Sequence, residues 1–131
     1  MTINKEEIIN MYTNVYYLLE LLDSIYSDVS DSYEVLNKHE GDISYSLSLN
    51  YLAISHQSYI EFKRVYHHYG MEHSEIDVLI GAYEHYKLQL KEVITDKDAN
   101  TSWLTSALDS FTVTKNSVRE FLSNTLDSLK L

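Results

Sequence analysis

From residue 8 onward the apolar positions recur as Ile8, Tyr12, Val15, Leu19, Leu22, Tyr26, Val29, Tyr33 and Leu36. The steps alternate between four and three residues, which is the seam of an amphipathic helix. Ile9, Tyr16, Leu18 and Ile25 widen the stripe, while Glu6, Glu20, Asp28, Asp31 and Glu34 fall on the opposite side. Asn4 can cap this helix with Glu7 reaching back, and Ile3 can staple onto Ile8. The register survives a polar pause at Ser30-Asp31-Ser32. It ends at Lys38-His39-Glu40-Gly41, where Gly41 suits a left-handed cap.

The next segment carries two periods. Ile43, Tyr45, Leu47, Leu49 and Tyr51 alternate with polar residues, mostly Ser, as a half-buried strand would. A lone strand needs a partner, and the only other alternating stretch is the short Phe111-Thr112-Val113-Thr114. From Leu49 the spacing turns helical, through Leu52, His56, Tyr59, Phe62, Tyr66 and Tyr69. A second helix is therefore expected, with Asp42 capping its start and Gly70 closing it. Lys63, Arg64, His67 and His68 sit in its last turns, where cations suit the helix dipole.

A third helix starts near Ser74 with the seam Ile76, Leu79, Tyr83, Tyr86, Leu90 and Val93. A polar turn, Thr95 to Asn100, separates it from a fourth helix with Leu104, Leu108, Phe111, Val118, Phe121, Leu122 and Leu129. Thr114 and Thr125 interrupt that last stripe, so it is expected to pack least well. The pattern predicts an all-α chain, an antiparallel four-helix bundle with a long N-terminal helix, forming a single domain over residues 1–131. At 1.5 Å per residue the first helix spans about 45 Å. The others look shorter, so part of its seam is expected to outrun its partners.

Composition narrows the chemistry. The chain has 131 residues, no Cys and no Pro. Without Cys there are no disulfides, thiolate metal sites or thiol nucleophiles. Without Pro the helices run uninterrupted. No apolar run is long enough to span a membrane, and the acidic N-terminal stretch does not resemble a signal peptide. A cytoplasmic protein is expected. The net charge is -10, which argues against direct nucleic-acid or anionic-membrane binding. That charge is local. Residues 1–62 hold ten acids and two Lys, whereas residues 63–131 hold ten acids and eight bases.

Histidine is the first candidate for chemistry. His67, His68 and His73 gather near the second turn, beside Glu72 and Glu75. His73 and Asp77 are four residues apart, a spacing that suits a shared metal. Neither His-Glu-x-x-His nor paired Glu-x-x-His motifs occur, and a solvated helix end explains the cluster. His56 lies inward between Leu52 and Tyr59, either as a proton switch or, as favoured here, hydrogen-bonded to a Tyr or backbone group. Arg64-Val65-Tyr66-His67-His68-Tyr69 is similar to the Arg-to-His run of HEPN-type ribonucleases. Its intervals of two and three residues are too short, and no catalytic residue is carried over. Trp103-Leu104-Thr105 lacks the Gly of the WXG100 turn. No cofactor, metal ligand or catalytic residue is assigned.

Tyrosine is the informative excess, with 12 of 16 aromatic residues, all between Tyr12 and Tyr86. A buried Tyr must satisfy its hydroxyl, so these residues are expected at boundaries rather than at a dry centre. Tyr is also enriched at interfaces. The expected function is a non-enzymatic protein–protein interaction module, a small bacterial or phage inhibitor, immunity-type factor or chaperone. Its partner surface is expected at Tyr17, Glu20, Leu21, Asp28, Asp31, Glu34 and Tyr51. The partner would be a protein, basic or nucleic-acid-binding, and homodimerisation is expected as well. The alternatives are an acidic nucleic-acid mimic that inhibits a DNA- or RNA-binding enzyme, and a HEPN-like or metal-binding helical enzyme.

Overall fold

The computed structural model describes residues 4–38, 41–98 and 100–129. Four helices follow one another: α1 (Lys5–Glu34), α2 (Asp42–His68), α3 (Ser74–Asp96) and α4 (Ser102–Ser128). A 3₁₀ turn, Val35–Asn37, extends α1 to 33 helical residues. No strand occurs among the described residues, and the alternating stretch 43–51 is the start of α2. None of the helices is long and apolar enough to cross a membrane among the described residues.

The helices form an antiparallel ring in which α1 lies between α2 and α4, and α3 closes the other side. Ser24 meets Ser58 on α2, while Asp23, Tyr26 and Tyr33 meet Arg119, Thr112 and Thr105 on α4. These partners run in opposite senses along the paired helices. The pair α1–α2 is packed closest and α2–α3 most openly. Side-chain size explains both, because interaxial distance follows what stands at the contact. The α2 face toward α1 carries Ser44 and Ser48, which donate to the Val35 and Ser32 carbonyls, whereas α2 and α3 are held apart by the stacked rings of Tyr59 and Tyr83, 4.0 Å between centroids.

The termini follow local chemistry. The Asn4 carboxamide oxygen accepts from the Glu7 backbone N–H at 2.8 Å, as expected. Ile3, His39 and Glu40 lie outside the described residues. Gly41 has φ +62°, but it stands immediately before α2, and Asp42 is the first helical residue rather than the cap. Instead, Asp42 pairs with Lys97 at 3.6 Å. Gly70 (φ +63°) closes α2, with the Met71 N–H returning to the Tyr66 carbonyl at 2.9 Å.

The buried face of α1 departs in part from the expected seam. Val15, Leu19, Leu22 and Val29 of that seam are buried, with Leu18, Ile25 and Ser32 beside them, while Tyr26, Tyr33 and Leu36 are half-buried and Tyr12 is exposed. Leu21, expected on the outer surface, is only 9% exposed and belongs to the core. Helix α1 is clasped between two neighbours, so its buried arc is wide enough to include Leu21. On α2 the correction is larger. Ser44, Ser48 and Ser55 point inward, and Ile43, Leu49 and Tyr69 are exposed. The α3 seam is buried as expected. Helix α4 buries Leu104, Phe111, Val118 and Leu122 as expected, together with Ala107.

Candidate interaction surface

Eight of the tyrosines fall into three groups, while on α2 Tyr59 and Tyr66 are buried and Tyr45 and Tyr51 half-buried. Tyr83 and Tyr86 are fully buried at the centre, against the expectation that Tyr would keep to the boundary. Their hydroxyls are satisfied by serine relays. The Ser55 hydroxyl donates to the Leu52 carbonyl at 2.7 Å and meets the Tyr83 hydroxyl at 2.8 Å. The Ser32 hydroxyl donates to the Val29 carbonyl at 2.6 Å and meets the Tyr86 hydroxyl at 2.7 Å. With the Ser55 proton committed to a carbonyl, Tyr83 is the donor to its serine, while the Tyr86 hydroxyl is shared between Ser32 and the Val29 carbonyl, to which it donates at 3.3 Å. Ser48 donates to the Ser32 carbonyl at 2.6 Å and joins α2 to the α1 backbone. Burial pushes the Tyr83 phenol up to about 12 and raises that of Tyr86, the serine contacts opposing both shifts.

A second group lines the α1–α4 seam. Tyr33 contacts Thr105 at 2.7 Å and Tyr26 contacts Thr112 at 3.2 Å, while both threonines donate to carbonyls four residues back. Tyr26 and Tyr33 are seven apart, as are Thr105 and Thr112, so the two contacts repeat along the heptad. Tyr51, expected on the partner surface, is half-buried on α2, as is Tyr45.

The third group is exposed: Tyr12, Tyr16, Tyr17 and Tyr69. All four lie at the end of the bundle where α1 begins and α2 stops. Ile9 and Met11 are exposed there as well. Met11 continues the inward register of Val15, Leu18 and Leu22, yet it is 43% exposed. Helix α1 thus runs past its neighbours there. Helices α2 and α4 have 27 residues each, so the overhang comes from how the helices are staggered as well as from α1's length. Tyr17 donates toward Glu61, whose carboxyl is held below its ordinary range first by the Arg64 guanidinium.

The expected acidic surface is partly realised. Glu20, Asp31 and Glu34 sit on the outer side of α1, Asp31 being half-buried. Glu34 pairs with Lys38 at 3.8 Å and Asp23 with Arg119 at 3.0 Å. Asp28 is half-buried, and its carboxyl is raised from the ordinary aspartate value by desolvation and then by Asp31. Glu20, Asp31 and Glu34 therefore stay on the outer face, Asp28 is half-buried, and Leu21 leaves the surface.

The histidines do not converge. The His73 ring nitrogen Nδ1 accepts from the Glu75 backbone N–H at 3.1 Å and so caps α3. The ring also stacks on Phe121 at 4.2 Å. His67 Nδ1 pairs with Glu72 at 3.1 Å, and His68 lies edge-on to Tyr69. Arg64 forks onto Glu61. Among the described residues no group of three acidic or histidine side chains could hold a metal ion. His56 is half-buried against the Tyr59 ring, but among the described residues its Nδ1 has no hydrogen-bond partner, unlike the expected Tyr or backbone contact.

The surface clefts are open. One of about 210 Å³ lies between α2 and α3, floored by Leu49, Leu52 and Ala53, with His56, Lys87 and Lys91 on its walls. Another of about 550 Å³, lined in part by Val78 and Val113, lies between α3 and α4. No family model, no curated protein and no solved structure matches the chain.

The signal for the exposed end was present in the sequence as the long α1 seam. The serine relays went unread, because Ser at core spacing scores as polar in any apolar pattern.

Proposed function

We propose that this chain is a protein-interaction module, of the inhibitor or assembly-chaperone type, that binds its partner with the end of the bundle where α1 begins. One observation carries the reading. Eight of the twelve tyrosines are buried or half-buried, and the exposed four gather at one end with Ile9 and Met11. Exposed aromatic and apolar side chains collected on one patch are characteristic of binding surfaces. Tyr in particular offers large contact area at low entropic cost. Glu6, Glu7 and Glu20 lie along the same stretch of α1, with Lys5 at its start and Arg64 beside Tyr17 and Tyr69, which favours a partner with an apolar centre and a polar, charged rim. The acids farther along α1 would steer such a partner toward it.

The nucleic-acid mimic is less well supported. A mimic needs its carboxylates ionised and free to face a basic groove. Asp28 is half-buried, and Glu34 and Asp23 already face cations.

The test is affinity capture with quantitative mass spectrometry on wild type, on Tyr12→Ser/Tyr16→Ser, and on Glu20→Lys/Asp31→Lys. The tyrosine pair should weaken capture of a specific partner by about tenfold or more, with thermal stability unchanged because both side chains are exposed. Charge reversal should mainly slow association. Undiminished capture of the same partner by Tyr12→Ser/Tyr16→Ser would overturn the reading.

A further inference from the structure

The α2–α3 cleft differs in charge from the rest of the molecule. On a chain of net charge -10, it gathers Lys87 and Lys91 on its wall with His56. Lys63 lies nearby, over the Tyr59 ring at 5.3 Å. Glu84 is the acid facing this group and pairs with Lys87 at 2.9 Å. Lys91 has no ion-pair partner among the described residues. The floor is apolar, and Leu49, Ile60 and Leu88 are exposed on α2 and α3. The cleft is open because the Tyr59–Tyr83 stack holds these helices apart.

The α1 overhang has the complementary character. Residues 5–14 extend about 15 Å at 1.5 Å per residue. They carry Lys5, Glu6 and Glu7, a net charge of -1, beside the exposed Ile9, Met11 and Tyr12. Leu49 to His56 runs two helical turns, about 10 Å, so the overhang is long enough to lie along the cleft. It cannot reach its own cleft, because it projects from the opposite end of the bundle to Leu49 and Lys91.

We propose that the α2–α3 cleft is the docking site for the α1 overhang of a second copy of this chain. This rests on the reading of that overhang as an interaction surface, and it names one occupant for it. Two bundles paired antiparallel about a two-fold axis present each overhang to the other's cleft. Both contacts then form together and the assembly closes as a dimer. The net charge of each copy opposes association, so the contact is placed where the surface charge is locally reversed.

The experiment is sedimentation velocity on the full chain up to about 100 µM, a range that reaches weak dimers. Wild type is expected to dimerise. Glu6→Lys/Glu7→Lys and Lys87→Glu/Lys91→Glu should each weaken the dimer about tenfold or more. Mixing these two variants should restore it, since every overhang then meets a cleft of opposite charge. Lys87→Glu also breaks the Glu84 pair, so Lys91→Glu alone serves as the second variant, with circular dichroism melting as the folding control. A wild-type chain that stays monomeric, a dimer indifferent to Lys91→Glu, or a mixture that fails to associate would each overturn the proposal. Partner capture that depends on Tyr12 and Tyr16 would survive those outcomes, so the two readings fail separately.

Discussion

At the residue scale the organising device is the hydroxyl relay. A phenol at the centre of a helical bundle is costly when unpaired, because desolvation of an unsatisfied donor costs about 1–3 kcal/mol. Here a small hydroxyl already anchored to its own helix meets each phenol: Ser55 for Tyr83, Ser32 for Tyr86. Ser55→Ala should therefore destabilise the chain by about 1–3 kcal/mol, since it strands the Tyr83 hydroxyl. Ser55→Ala/Tyr83→Phe should cost less than the single serine change, because no donor is left unpaired. Urea denaturation of the four proteins of this cycle measures the coupling. Strict additivity would show that the Ser55–Tyr83 contact contributes nothing.

At the scale of elements, helix ends were legible where one residue does the work. Asn4 and Gly70 act as their types require. Gly70 is needed for its backbone alone: φ is +63° and a Cβ there would meet nothing within 4 Å. Gly70→Ala should thus lower stability by about 1 kcal/mol, read as a shift in urea midpoint with unchanged slope. An unchanged midpoint would mean that α2 ends by other means. The face of α2 was not legible. Its apolar residues at 43, 45, 47 and 49 suggest alternation, but burial selected Ser44 and Ser48 because small side chains let α2 settle against α1. A seam defined by size rather than hydrophobicity leaves no trace in an apolar pattern.

On the scale of the whole molecule, the acidic half has a consequence for stability. Desolvation and the neighbouring Asp31 raise the Asp28 carboxyl above its ordinary value. The folded state therefore binds this proton more tightly than the unfolded chain does. Ionised Asp28 opposes folding at neutral pH, and that penalty fades as pH falls through the raised folded value toward the ordinary one. Asp28→Asn should raise the melting temperature at pH 7 and lose that advantage in acid. Melting curves across this range check it; an equal effect at all pH values would locate the benefit elsewhere than in charge.

The candidate surface was half legible. The outward placement of Tyr17 and Glu20 could be read from helical register, since both lie off the apolar stripe. Leu21, Tyr51 and Asp28 could not, because whether a flanking position is covered depends on how closely the next helix approaches.

Sequence by itself determined the four helices, their order, most of their ends and the acidity of the first half, since periodicity, capping and charge are local properties of the chain. Tertiary structure alone decided which tyrosines are structural and which are left over. That choice depends on hydroxyl partners contributed by other helices, such as Thr105 for Tyr33. It also decided at which end α1 projects beyond its neighbours, an overhang that the length of its seam had announced, because stagger is set by how the assembled helices pack.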